Sequence, residues 1–212
     1  MNHADSAGNS GELNPGGVQW MTAGSGVIHS ELPHPDFQKT GGVMHGFQIW
    51  VNLPAADKMM QPRYQDIPEE NIPVVSSQDG LVKVRVIAGQ SLGQSAVIDT
   101  MIPITVLHMT LKPGGKIVQS LEKGLNGMIY CFSGSLSVDE KALNDGQLGI
   151  LNDGDEVYLS VSDSAKEDVN ILFLAGPEIN EPIARYGPFV MNTEQEIMQA
   201  YADYNAGTLV KN

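Results

Sequence analysis

His29 and Glu31 are the residues of this sequence whose types and spacing most directly suggest chemistry. They stand two apart in "WMTAGSGVIHSELPHP", residues 20–35. Because side chains on an extended chain alternate between two faces, this imidazole and this carboxylate point in the same direction on a strand. Such a pair can form half of the ligand set of iron or another divalent metal. Two ligands rarely hold a functional metal ion, so a functional site requires further ligands from elsewhere.

Strands are the elements that must position these residues. In "HGFQIWVNLP" the apolar residues at every second position from Phe47 to Leu53 share one face, which is the pattern of a half-buried strand. "LVKVRVIAG" repeats this pattern, and further short apolar stretches follow, separated by turns rich in Gly, Pro or Asp. Many short strands with regular turns predict an all-β barrel or sandwich.

The C-terminal stretch "NTEQEIMQAYADYNAGTL" changes from the strand pattern to a helical one. Thr193 and Glu196 have the spacing of a capping box, an apolar stripe follows, and Gly207 is placed to end the helix. We therefore predict a C-terminal helix whose role is structural.

The composition limits the classes of function. A chain of 212 residues with 42% hydrophobic residues suits one large core or two small ones. Its 12 Lys and Arg against 25 Asp and Glu give a net charge of −13, which opposes direct binding to nucleic-acid phosphates but suits a protein partner with a basic surface. The single cysteine, Cys131, excludes an internal disulfide, and its apolar surroundings predict a buried, inert thiol.

No part of the sequence has the pattern of a targeting or membrane segment. The opening "MNHADSAGNSGELNPGG" has neither a basic n-region nor an apolar core, and no stretch of about 18 apolar residues follows. We therefore expect a cytoplasmic protein, or a nuclear one if the source is a eukaryote.

Residues 54–80 contain four prolines and no clear periodicity, which favours a connection between domains. The predicted organisation is a first barrel over residues 1–56, a connecting segment over 57–80, a second barrel over 81–190 and a helical tail over 191–212. Similar phrases in the two halves, "LNPGG" and "LNDGD", are consistent with a duplicated barrel.

Several long phrases resemble the pirin family of the cupin superfamily. They are "GGVQWMTAGSGVIHSELP", "GFQIWVNLP", "KMMQPRYQDIPEENIP" and "GPFVMNTEQEI", in that order along the chain. The resemblance implies two cupin-type β-barrels, of which the N-terminal one holds a single Fe(II) ion through three histidines and one glutamate. By position, His29 and Glu31 correspond to the third and fourth of these ligands.

The first two ligands of the family belong to a His-x-His phrase further upstream, and this chain has no such phrase. The first barrel is therefore expected to be incomplete, with exposed ladder edges. A start codon assigned too late, a naturally shortened paralogue and a deliberate truncation are three explanations that the sequence leaves open. In the second barrel, the metal-motif positions read "VQSLEKG" and Val157 in place of histidines, which implies a barrel without metal.

Other residues of the first barrel are candidates for the same pocket. His45 shares the parity of the apolar face of its strand, so we expect it in the barrel interior, with Trp20 and Met21 as further pocket lining. His34 lies in a loop and is expected to be solvated. His3 is expected to lie in a frayed terminus and not to serve as a ligand.

The resemblance implies an iron-dependent dioxygenase that cleaves quercetin-like flavonols. In that scheme Glu31 binds the iron and takes the proton of the flavonol hydroxyl, while His29 is only a ligand. Because two ligands are missing, this activity is expected to be impaired, and the enzymatic assignment depends on a complete metal site. The alternatives are a metal-linked transcriptional co-regulator or a protein-binding module without catalysis, either meeting a basic partner such as a transcription factor, and a paralogue with neither metal nor activity.

Overall fold

The computed structural model describes residues 1–6 and 8–210, and the chain divides into two compact units. Unit 1 combines Met1–Glu69 with Ile179–Asn212, and unit 2 is Glu70–Glu178. This division differs from the predicted boundaries at 57–80 and 81–190. The predicted connecting segment contains a strand of each unit, and the last part of the predicted second barrel belongs to unit 1, because in each case the strand is paired within that unit.

The elements follow one another in short intervals. Unit 1 begins with β1 (Asn2–Asp5), β2 (Ser10–Glu12), β3 (Val18–Thr22), β4 (His29–Leu32), α1 (Pro35–Thr40) and β5 (Arg63–Ile67), and a 3-10 turn (Glu69–Asn71) follows. Unit 2 contains β6 (Val74–Ser76), β7 (Val82–Ala88), β8 (Gln90–Ser91), β9 (Gln94–Ser95), β10 (Thr105–Leu111), β11 (Lys116–Ser120), β12 (Leu125–Ser133), β13 (Ser135–Val138), β14 (Lys141–Asn144), β15 (Leu148–Ile150), β16 (Glu156–Ser160) and β17 (Val169–Pro177). Unit 1 ends with β18 (Ala184–Tyr186), β19 (Phe189–Met191) and α2 (Glu194–Ala206).

Two antiparallel sheets of unit 2 contribute to one hydrophobic core. Six strands are in the order β15-β12-β17-β10-β7-β6 and four in the order β11-β16-β13-β14. On β7, Val82, Val84 and Val86 are fully buried, whereas Lys83 is exposed and Arg85 is half-buried. This confirms the predicted alternation, which lets one face of a strand enter the core while the other carries charge.

Two predictions about single features are also confirmed. The Cys131 side chain is fully buried in the core of unit 2, and burial raises the pKa of its thiol, so it is protonated and inert at neutral pH. Helix α2 begins after Thr193, whose side chain forms the reciprocal capping box with Glu196, and ends at Gly207 in the left-handed conformation. In the part of the chain that the structure describes, no helix is both long and apolar enough to cross a membrane.

Unit 1 is built from small antiparallel sheets. Strands β2, β1 and β4 form a sheet in that order, β3 pairs with β5, and β18 pairs with β19. The all-β class with a C-terminal helix is therefore confirmed. Over residues 1–6 and 8–210 each of these sheets is open and has an edge strand on either side. No described strand lies beside the outer edge of β4.

Residues 43–51, called the apolar segment below, form neither a helix nor a strand, so the strand predicted here is wrong. Six of its large apolar side chains are 40% to 91% exposed: Val43, Met44, Phe47, Ile49, Trp50 and Val51. Alternation provides an apolar face, but a strand also needs a neighbouring backbone to share its hydrogen bonds. None of the described strands pairs with this segment. His45 is likewise exposed, which contradicts its predicted place inside a barrel.

Candidate functional site

The predicted pair lies on strand β4, and its two side chains are close together. His29 Nδ1 is 3.8 Å from Glu31 Oε1, as expected for residues two apart on an extended chain. The side chains are 31% and 29% exposed, so both reach solvent while part of each lies against the protein. The local geometry of the predicted imidazole and carboxylate pair is therefore present in the folded chain.

Strand β1 adds two more ionisable side chains to the same face. In the antiparallel ladder His3 lies opposite Glu31, and Asp5 lies opposite His29. Residues directly opposite in such a ladder share a face, with their Cβ atoms about 5 Å apart. Sequence reasoning missed Asp5, and it placed His3 in a frayed terminus. That placement is wrong, because His3 sits in the middle of β1, paired on both sides, and is only 5% exposed.

The His3 ring is held by a carboxylate on another strand. Its Nε2 lies 3.2 Å from Asp66 Oδ2 on β5, a distance at which the ring N–H donates to the carboxylate. On the opposite side of the ladder, a Cβ at Gly11 would lie only 2.5 Å from His3 Nε2, so glycine on β2 makes room for the ring. This arrangement fixes the imidazole next to Glu31, on the same face of the sheet.

Tyr64, two residues before Asp66 on β5, packs against His3. The cluster of these side chains is called the inner layer below. Its ring stacks on that of His3, with 5.8 Å between the centroids, and its hydroxyl lies 2.7 Å from Met21 Sδ. Burial raises the pKa of Tyr64 to about 12, and the carboxylates of Asp5, Asp66 and Glu31 add to the rise, Asp5 also by a hydrogen bond. Tyr64 is therefore a neutral hydrogen-bond donor at pH 7. The alternation in "RYQDI" could have revealed Tyr64 and Asp66, but it lies in the segment interpreted as a connection.

The residues predicted to line the pocket take different positions. Met21 lies opposite Tyr64 in the β3–β5 ladder and so joins the inner layer. Trp20, its neighbour on β3, points to the other face of the strand. His45 contacts the Phe47 ring at 5.2 Å within the exposed apolar segment. Their role as pocket lining stays a prediction.

His34 is not simply solvated. It caps helix α1, because its Nδ1 accepts from the Asp36 backbone N–H at 3.2 Å, and its Nε2 lies 3.4 Å from Glu12. In unit 2, Val157 is 2% exposed in the hydrophobic core, at the position where the metal motif would place a histidine.

The donor chemistry of His29 and Glu31 suits a divalent transition metal, but two donors alone do not complete a ligand set. Among residues 1–6 and 8–210, no three His, Cys, Asp or Glu side chains converge as a metal site requires. The nearest candidates have other partners: His3 is bound to Asp66, and Asp5 accepts hydrogen bonds from Asn9 at 2.9 and 2.8 Å. The described residues therefore do not by themselves fit a bound iron.

Comparison with protein families gives a consistent result over both units. A family model described as "Pirin" matches residues 1–51, and a model described as "Pirin C-terminal cupin domain" matches residues 106–210. Human pirin is 38% identical over 208 residues, which cover 96% of this chain and 69% of that protein.

Two solved structures from Acinetobacter baumannii and Escherichia coli are similar to this chain. A crystal structure of a quercetin 2,3-dioxygenase from Acinetobacter baumannii matches with a TM-score of 0.91 at 38% identity, covering 98% of this chain and 72% of that one. The pirin YhhW of Escherichia coli, solved in complex with nickel(II), matches with a TM-score of 0.59 at 18% identity, covering 83% and 67%. At that identity the second match shows the fold alone.

Proposed function

Because this chain belongs to the pirin family, we propose that it derives from an iron-dependent dioxygenase of flavonol-like aromatics and that this activity is impaired in the chain described here. The observation that carries the proposal is the His29–Glu31 pair on β4, with 3.8 Å between ring nitrogen and carboxylate oxygen. The name of the Acinetobacter structure, a quercetin 2,3-dioxygenase, supports the reaction class and the aromatic substrate.

Glu31 is the residue to which we assign catalysis. Its carboxylate is partly exposed on β4, so a small aromatic molecule can reach it from solvent. With a flavonol hydroxyl at hydrogen-bond distance, this carboxylate accepts the hydroxyl proton as a general base. His29, whose Nδ1 lies 3.8 Å from Glu31 Oε1 on the same face, is proposed as a metal ligand only and is assigned no proton transfer.

The inner layer supports this assignment because Tyr64 adds no second negative charge next to Glu31. Tyr64 stays neutral at pH 7, since its pKa is raised to about 12, and it contributes no negative charge beside the carboxylates of Asp5 and Glu31. The Tyr64 ring stacks on that of His3, which lies opposite Glu31 in the β1–β4 ladder. A positioned base needs such a rigid support for proton transfer.

Impairment follows from the number of donors. Imidazole and carboxylate donors from two residues leave most of a metal's coordination positions to water. Fe(II) is the cofactor that we propose from the family, with weak retention by the single chain.

The apolar segment favours a second candidate, a protein-binding module. Exposed apolar patches mark interaction sites more often than ordinary surface. A partner with a basic surface, such as a transcription factor, would complement the net charge of −13. A cytoplasmic or nuclear location agrees with either candidate and stays a prediction of the sequence.

Iron loading under anaerobic conditions, followed by elemental analysis of the monomer fraction and by the loss of quercetin absorbance in air, tests the first candidate. We expect iron well below one per chain and slow loss of quercetin. Glu31→Gln and His29→Ala should abolish what remains, whereas His34→Ala, a histidine of the same unit outside the pair, should not. About one tightly held iron per monomeric chain would contradict the impairment, and equal rates for Glu31→Gln and the parent would contradict the role of Glu31.

A further inference from the structure

We propose that unit 2 binds a small hydroxylated phosphate, of the class of sugar phosphates, in a cavity on the outer face of its six-stranded sheet. The cavity has a volume of about 350 Å³, and its lining includes Ser76, Leu81, Lys83, Thr110, Lys112 and Asp168. All of these residues belong to unit 2, whereas the proposed function concerns β4 in unit 1.

Strand pairing brings the lining residues to one face of the sheet. In the ladders of β6, β7 and β10, Ser76 lies opposite Lys83, and Lys83 lies opposite Thr110. Residues directly opposite in an antiparallel ladder share a face. The neighbours of Lys83 on β7, Val82 and Val84, are fully buried in the core, so the row of polar residues occupies the outer face.

Lys112 and Asp168 extend this row at the ends of two neighbouring strands. β10 ends and β17 begins at the opposed pair Leu111–Val169. Lys112 and Asp168 are the next residues beyond this pair, and both line the cavity. The Lys112 backbone N–H donates to the Leu81 carbonyl oxygen at 2.8 Å, which fixes Lys112 beside the residue that precedes β7. Strand pairing within unit 2 therefore sets the positions of both charged residues.

Two amines give the cavity a preference for an anion. Within the described residues, no carboxylate forms an ion pair with Lys83 or Lys112. A lysine ammonium group is a compact charge with three hydrogen-bond donors, and it is a common ligand of phosphate groups. Asp168 is the one carboxylate among the lining residues, so the lining carries two positive charges and one negative charge.

The cavity also offers acceptors, which favour hydroxyl groups on the bound anion. Thr110 Oγ1 donates to Asn170 Oδ1 at 2.8 Å, so the Thr110 oxygen is left to accept. His108 Nε2 lies 3.2 Å from the same Asn170 oxygen and helps to hold it in place. The Asp168 carboxylate is likewise an acceptor. A phosphate group can therefore meet the two amines while hydroxyl groups of the same molecule donate to Thr110 and Asp168.

Size and charge favour a small molecule as the ligand. Pockets for small ligands usually have volumes of about 300–1,000 Å³. A cavity of about 350 Å³ suits a molecule of the size of a monosaccharide phosphate. A nucleic acid would meet the net charge of −13 along its length, whereas a small anion meets mainly the charges of the cavity itself.

Isothermal titration calorimetry on the full chain tests the site with three probes, namely glucose 6-phosphate, glucose and inorganic phosphate. We expect glucose 6-phosphate to bind at least about tenfold more tightly than the other two, because it alone offers both a phosphate and sugar hydroxyl groups. Equally tight binding of glucose would overturn the role of the lysines, and equally tight binding of inorganic phosphate would overturn the role of the acceptors. No binding of glucose 6-phosphate would refute the site.

Lysine substitutions identify the cavity. Lys83→Gln and Lys112→Gln each remove one charge from an exposed side chain, so the fold is retained. Each should weaken the binding of glucose 6-phosphate about tenfold, because a charge-assisted hydrogen bond is lost. Lys141→Gln, on β14 in the other sheet of unit 2, is the matched control and should leave the dissociation constant unchanged. Equal effects of Lys83→Gln and Lys141→Gln would indicate a general effect of charge and would refute the assignment.

Asp168→Ala separates the two kinds of contact. The repulsion between this carboxylate and phosphate is relieved for both anionic probes, but a hydroxyl contact is lost for the sugar phosphate alone. The preference for glucose 6-phosphate over inorganic phosphate should therefore fall about fivefold. An unchanged preference would contradict the role of Asp168.

Amide chemical shifts provide an independent readout of the location. Glucose 6-phosphate should shift the amides of residues 76–83 and 110–112 and leave those of β13 and β14 unchanged. Shifts confined to β13 and β14 or to unit 1 would overturn the location. The iron and quercetin assays report on β4, so failure of this inference and failure of the proposed function can be told apart.

Discussion

Replacing Gly11 with alanine tests whether the inner layer of the candidate site depends on room for the His3 ring. Gly11 lies opposite His3 in the β1–β2 ladder. A Cβ at this position would be 2.5 Å from His3 Nε2 and 3.2 Å from Asp66 Oδ2. The backbone of Gly11 is outside the left-handed region, so the side-chain contact, and not backbone strain, decides the effect.

The magnitude follows from how firmly the ring is held. His3 is 5% exposed, stacks on Tyr64 and bonds to Asp66, so it cannot turn away without losing contacts. Overpacking a buried site costs about 1–3 kcal/mol, and loss of the hydrogen bond to Asp66 adds about 1 kcal/mol. We therefore expect Gly11→Ala to lower the free energy of unfolding of unit 1 by about 2–4 kcal/mol.

Tryptophan fluorescence during urea unfolding measures this change. Both tryptophans, Trp20 and Trp50, belong to unit 1, so their emission reports on that unit. A double-mutant cycle with His3→Ala isolates the contact, since without the ring Gly11→Ala should cost less than about 0.5 kcal/mol. Gly46→Ala is the matched control, because a Cβ there meets no atom within 4 Å.

Additive effects would refute the reasoning. If Gly11→Ala costs the same with and without the His3 ring, the two residues are not in contact. If Gly46→Ala destabilises unit 1 as much as Gly11→Ala, the cost comes from losing glycine and not from crowding the ring. Either outcome would also remove the support for an ordered layer beside Glu31.

Two further predictions concern Tyr64 and the C-terminal helix. The unfolded chain releases the Tyr64 proton near pH 10 and the folded chain near pH 12, so stability falls as pH rises through this window; Tyr64→Phe should reduce that fall, as followed by fluorescence-detected unfolding. Thr193→Ala removes the N-cap of α2 and should lower the free energy of unfolding by about 1 kcal/mol, whereas Thr193→Ser should retain most of it, as measured by circular dichroism.

Local patterns in the sequence predicted the elements whose stability depends mainly on near neighbours. The alternation around Val84 describes a strand because one face must enter a core, and the capping residues Thr193 and Glu196 define the start of α2. The spacing of His29 and Glu31 placed both on one face of a strand, and the structure agrees. Each of these inferences uses only the geometry of a few consecutive residues.

The apolar segment shows where this kind of inference ends. Its alternation is as clear as that around Val84, yet it forms no strand, because pairing depends on a second backbone that local periodicity does not specify. The predicted domain boundary differs from the observed one for the same reason, because it too depends on pairing between distant strands. β5 was interpreted as part of a connection, although its register with β3 places it in unit 1.

By itself, the sequence determined the family, the all-β class, the helical end and the imidazole–carboxylate pair, since these depend on residue types and short spacings. Only the tertiary structure decided what surrounds that pair. His3 and Asp66 are 63 positions apart, and no periodicity relates them. They meet because pairing between distant strands sets which side chains share a face, and that pairing is a property of the whole chain.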